Sequence, residues 1–169
     1  MERAFVALRA LTFMSGAVLL WVWVALQVRT FDQSLDTKLP SWVEIPGVVV
    51  MMLGGLLALL CVGLFVLKGR GTPAPFDSPK ALVAAGPYKV VRNPMYLGVL
   101  SLLFGFALYQ RSWSILLFSF AWLFLAHLFV LHYEEPTLRR KFGAAYDAYS
   151  ESVPRWIPKW TQLEGTARS

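Results

Sequence analysis

The chain alternates long apolar runs with short polar loops. Residues 4–28 and 43–67 are each apolar for long enough to cross a bilayer, since about 20 residues suffice. A third run, 95–109, is short, and a fourth, 113–131, is of ordinary length. Gln110, Arg111 and Ser112 join the last two as a tight helical hairpin. The first run is too long for the apolar core of a signal peptide, and no small-residue cleavage site follows it, so it is expected to be a retained helix. Prolines at positions 73, 75 and 79 exclude regular helix there and predict an ordered connector or a lid. Beyond the fourth run, residues 136–151 predict a further helix. Pro136 suits its first turn, and Leu138, Phe142, Ala145, Tyr146 and Tyr149 share an apolar face. The pattern predicts an all-α integral membrane protein, with about four transmembrane helices plus a C-terminal cytoplasmic amphipathic helix. The whole chain, 1–169, is expected to form one membrane-embedded domain, with a loop over 68–94 and a tail over 132–169.

Composition agrees. The chain is 57% hydrophobic and only 15% charged, against about 25% charged in soluble domains. Its 169 residues leave no room for a separate soluble catalytic domain. The net charge of +6 sits in loops beside the apolar runs, which points to topology and anionic headgroups rather than to nucleic acid. Lys68, Arg70, Lys80, Lys89 and Arg92 face only Asp77 in the central loop, and Arg139, Arg140 and Lys141 follow the last run. The positive-inside rule then puts both termini and this loop in the cytoplasm of a multi-pass cell-membrane protein. Cys61 is alone within an apolar run, which excludes a disulfide framework and a thiolate metal site.

Two places carry candidate chemistry. The first is the stretch from Gly86 to Gly98, GPYKVVRNPMYLG. Polar, proline-rich backbone packed against membrane helices is costly unless it lines a site. Asn93 is placed as a helix cap and Pro94 as the first helical residue, which aims the N–H groups of Met95, Tyr96 and Leu97 out of the helix. Such an end favours a carboxylate or phosphate. Arg92 adds a bidentate donor, and Tyr88 and Tyr96 add flat faces with hydroxyl tips. The same residues also suit a well-capped span with interfacial tyrosines and a snorkelling arginine.

The second place is the end of the fourth run. Phe124, His127, Leu131 and Glu134 or Glu135 recur at helical steps and share a face. His127 is either a hydrogen bond between packed helices or the deep end of a polar stripe. Glu134 and Glu135 are either site carboxylates or a solvated boundary pair with Arg139 as partner. No metal is expected, because the five-residue spacing rotates His132 away from His127 and the first two runs supply no carboxylates.

The motif Gly86-Pro87-Tyr88, Arg92-Asn93-Pro94, Tyr96, Gly98 resembles the signature of the isoprenylcysteine carboxyl methyltransferase family and the related phospholipid methyltransferases. The later residues Glu134-Glu135, Leu138, Phe142-Gly143, Tyr146, Tyr149 and Val153-Pro154-Arg155 are similar to that family's C-terminal signature. The resemblance covers about half the chain. It implies an S-adenosylmethionine-dependent membrane methyltransferase acting on a lipid or lipid-like small-molecule acceptor. It implies that Arg92, Pro94 and Tyr96, the glutamate pair and Arg155 are site residues. Many members carry His where this chain has Asn93, and Asn does not titrate near neutral pH.

Methyl transfer from a sulfonium needs a donor and an acceptor held in line, without metal or protein nucleophile. Arg92 suits the cofactor's carboxylate, and Glu134 or Glu135 its ammonium or ribose hydroxyls. Tyr96 and Tyr146 suit the sulfonium. Tyr88, Asn93, Pro94 and His127 complete the expected cofactor-binding set. A carboxylate acceptor would pair with Arg155. An amine acceptor would need a base, for which Glu135 serves if burial raises its pKa. The alternative is a non-catalytic ligand-binding or partner protein of the membrane, supported by the lack of titratable groups deep in the first two runs.

Overall fold

The computed structural model describes residues 2–32, 38–69 and 81–159. Helix α1 spans Glu2–Val28, α2 Glu44–Leu64, α3 Pro94–Tyr109 and α4 Trp113–Phe129. Two short helices follow, α5 over Glu135–Phe142 and α6 over Ala144–Ser152. No strand occurs among the described residues. A π-helical turn prolongs α2 through Phe65–Gly69, and another prolongs α4 through Val130–Glu134. The four apolar helices fall where the apolar runs predict them. The connector at 71–79 lies outside the described residues.

Two helical stretches, Ser41–Lys68 and Trp113–Phe142, are long and apolar enough to cross a membrane, and Ser15–Phe31 and Pro94–Tyr109 are shorter apolar helices. The most apolar windows of the two long stretches are only 22% and 33% buried within the protein. Leu19, Met52 and Leu117 are 69%, 70% and 65% exposed. Removing such surface from water is worth about 25 cal/mol per Å². Faces of this kind suit association with a membrane.

What holds the bundle together is close backbone contact between α2 and α3. A Cβ placed on Gly105 would lie 2.5 Å from the Gly47 carbonyl oxygen and 2.6 Å from the Met51 nitrogen. One on Gly54 would lie 2.6 Å from Ser101 Cβ and 2.7 Å from the Gly98 oxygen. Small residues are what allow membrane helices to approach so closely. The signal is the seven-residue spacing of Gly47 with Gly54 and of Gly98 with Gly105, which the apolar runs conceal.

At the hairpin end, Arg111 turns the chain at φ 55° and Ser112 Oγ accepts the Ile115 N–H at 3.0 Å. Asp32 Oδ1 accepts the Ser114 N–H at 2.9 Å, which ties the end of α1 to the start of α4. Ala25, Ala107 and Ile115 bury completely beside that tie. At the opposite end, the single helix predicted over 136–151 is instead two. Gly143 sits at φ 53°, outside the helical region, and breaks it. The break turns α6 back against the bundle and leaves Tyr146 only 2% exposed.

Candidate active site

The site begins with the loop before α3. Gly86–Lys89 forms a 3₁₀ turn, and Gly86 takes φ 56° to enter it. Tyr88 is buried there, edge-on to Phe65 at 5.6 Å. Asn93 precedes Pro94 as expected, but its side chain makes no cap bond; Nδ2 donates to the Arg155 carbonyl at 3.4 Å. The Leu97 N–H is not left for a ligand either, because it closes on the Asn93 carbonyl at 3.3 Å as the first bond of α3.

The residues after α6 then lie across this loop. The Arg92 N–H donates to the Pro154 carbonyl at 2.9 Å, and the Tyr149 hydroxyl donates to the Tyr88 carbonyl at 2.7 Å. Trp156 Nε1–H donates to His127 Nδ1 at 2.9 Å, so that nitrogen carries no proton. His127 is therefore spent in joining the C-terminal segment to α4. Trp156 also meets the Tyr96 ring edge-on at 6.2 Å. Nothing in its spacing marked Trp156 as part of the site; only the fold brings it there.

The two glutamates part company. Glu134 Oε2 accepts the Tyr96 hydroxyl at 2.7 Å. Glu135, 8% exposed, receives Arg155 through Nε at 2.6 Å and Nη2 at 3.0 Å, with Arg92 Nη1 at 3.3 Å. Burial acts to raise the Glu135 carboxyl. The Arg155 hydrogen bond and the charges of Arg92, Arg155 and Arg139 outweigh it and hold the carboxyl below the ordinary glutamate range. This corrects the expectation of Glu135 as a base with a raised pKa. Arg155 turns Nε and Nη2 toward Glu135 in this arrangement. Arg139 pairs with Asp147 at 2.8 Å and not with the glutamates. Arg92 Nη1 also donates to the Tyr146 hydroxyl at 3.4 Å, yet its Nε is buried with no hydrogen-bond partner among the described residues.

Two spaces meet at these residues. A cavity of about 340 Å³ lies between α1, α3 and α4. Phe13, Ala17, Val18 and Trp21 of α1 form one wall, and Val99, Trp122 and Ala126 the facing one. Its polar end is made by Tyr88, Arg92, Asn93, Tyr96 and Glu134. A smaller recess of about 40 Å³ lies on the other side of those residues, against Glu135, Tyr146 and Tyr149. Tyr88, Arg92, Asn93 and Glu134 line both. Among the described residues no group of three His, Cys, Asp or Glu comes together as a metal site.

The helices thus form a bundle with apolar outward faces and a pocket lined by charged residues at one end. The family model for phospholipid methyltransferases matches residues 42–145, and the chain belongs to that family, within the superfamily of integral membrane methyltransferases. The family's reaction is methyl transfer to lipid-like substrates in membranes. No curated protein and no solved structure matches the chain. The match covers α2 to α5 and omits α1, Tyr146, Arg155 and Trp156.

Proposed function

We propose that this protein is an S-adenosylmethionine-dependent N-methyltransferase whose acceptor is an amphiphile with an amine head. The observation that carries the acceptor is the charge at the polar end of the cavity. Glu134 faces it, while Glu135 and Arg155 neutralise one another behind it. The cofactor fits the donors present. The buried Arg92 Nε lacks a partner among the described residues, as a guanidinium awaiting a carboxylate would. When bound, S-adenosylmethionine supplies an electrophilic methyl group on a sulfonium. Arg92 then holds the carboxylate, the Tyr96 and Tyr88 rings exclude water, and Glu135 and Arg155 position Arg92. Glu134 would take the proton of the acceptor ammonium and leave the nitrogen lone pair free to receive that methyl group.

A carboxylate acceptor is the second reading, favoured by the positive charge of Arg92 at the polar end of the cavity. Titration of the purified protein with S-adenosylhomocysteine, and mass spectrometry of n-alkylamines and n-alkanoic acids incubated with isotope-labelled donor, decide between them. Labelled N-methylamines are the expected product. Glu134→Gln is expected to lower that turnover by at least about a hundredfold, with S-adenosylhomocysteine affinity within threefold of the parent. Methyl esters instead of amines would support the second reading. Folded protein that does not bind S-adenosylhomocysteine would support a non-catalytic membrane role.

The same proposal treats 1–169 as one domain of four spans with both ends cytoplasmic, as the loop charges suggest. Ala148 and Ser41 are exposed at opposite ends of the bundle. In intact cells an impermeant maleimide is expected to label Ser41→Cys and to spare Ala148→Cys. The reverse pattern would overturn the orientation.

A further inference from the structure

The large cavity ends inside the bundle. Trp21 and Trp122 meet edge to face at 6.1 Å, and Phe118 lies 6.1 Å from Trp21. Beyond this aromatic layer Ala25, Ala107 and Ile115 are 0% exposed and pack into one cluster. The walls are short. Phe13 to Trp21 on α1, Asn93 to Val99 on α3 and Trp122 to Phe129 on α4 rise by roughly 9 to 12 Å at about 1.5 Å per residue. An extended chain of about seven to nine carbons fills that depth, with C–C bonds of about 1.5 Å in zigzag.

We infer that Trp21 and Trp122 form a floor that limits the length of the acceptor's apolar chain, so that this protein selects a single short-chain or compact amphiphile over a long-chain lipid. The inference rests on the reading of this cavity as the acceptor site, and it does not depend on which head group is methylated. The polar end fixes the head, and the floor then fixes how much chain fits beneath it. The cavity also opens sideways, past Leu125, which lines it and is 60% exposed. One wall of the ruler, α1, lies outside the residues matched to the family.

The test uses the full protein in nanodiscs and two homologous series, n-alkylamines and n-alkanols from six to eighteen carbons. Binding is read by native mass spectrometry or calorimetry without donor. Affinity is expected to rise about fourfold per methylene up to a break near seven to nine carbons and then to stop rising. Trp122→Ala is expected to move the break to longer chains. Ala17→Leu, which narrows the cavity from α1, is expected to move it to shorter ones. The second substitution keeps the test intact where the first does not fold. A break common to both series sustains the floor even if the amine reading fails. Affinity that climbs through eighteen carbons, a break that no substitution moves, or the absence of binding by either series would overturn it.

Discussion

Glu135→Gln is expected to cost about 3 kcal/mol of stability and to lower methyl transfer by about a hundredfold or more. Glu135 is the anion that both guanidiniums meet, with Arg155 at 2.6 Å and Arg92 at 3.3 Å. The amide accepts from one of them and turns N–H donors toward the other. Arg92, whose Nε already lacks a partner among the described residues, is then left charged and buried. Arg155 and Arg92 also carry the backbone ties to the loop, through the Arg155 carbonyl and the Arg92 N–H, so a shift there moves the rim of the cavity. Thermal unfolding and product mass spectrometry on the same sample measure both effects. Arg155→Lys keeps the charge but loses the two-point grip on Glu135, and turnover is expected to fall at least about tenfold while the fold survives. Full turnover in Glu135→Gln would mean that the ion cluster holds the tail and nothing more. Equal losses in Glu135→Gln and the double variant with Arg155→Met would show that the two act as one unit.

Gly105→Val is expected to abolish the folded state. The new Cβ would lie 2.5 Å from a carbonyl oxygen and 2.6 Å from a backbone nitrogen, neither of which is a movable side-chain end. The helices α2 and α3 must then separate along their length. Overpacking usually costs about 1–3 kcal/mol and more where backbone blocks relief. The loss also reaches the site, because α3 begins at Pro94 and carries Tyr96. Gly63→Ala is the control: a Cβ there meets nothing within 4 Å, and the variant is expected to fold within about 0.5 kcal/mol of the parent. Size-exclusion profiles and unfolding temperatures of the two variants in detergent decide the point. A monodisperse, heat-stable Gly105→Val protein would show that the close approach of the helices is not needed.

The apolar runs by themselves determined the four long helices and the hairpin at Gln110–Ser112, because run length and polar interruption are local properties. The arginine, proline and tyrosine of the loop and the paired glutamates were legible as candidates for the same reason. Polar groups beside membrane helices need a purpose. The fold then decided which partner each takes. Adjacent residues on a helix point about 100° apart, and the π-helical turn over Val130–Glu134 shifts the phase further. Glu134 therefore meets Tyr96, while Glu135 meets Arg155 and Arg92. Gly143 decides the rest. Its positive φ ends α5 early and folds α6 back, which takes Arg139 to Asp147 and brings Tyr146 to Arg92. The segment beyond α6 then sets Trp156 against His127 and Tyr96. Distances along the chain determine which residues share a helix face. Which faces meet, and how deep a cavity they leave between Trp21 and Arg92, depends on how closely glycine lets the backbones approach and on where a turn sends the chain next.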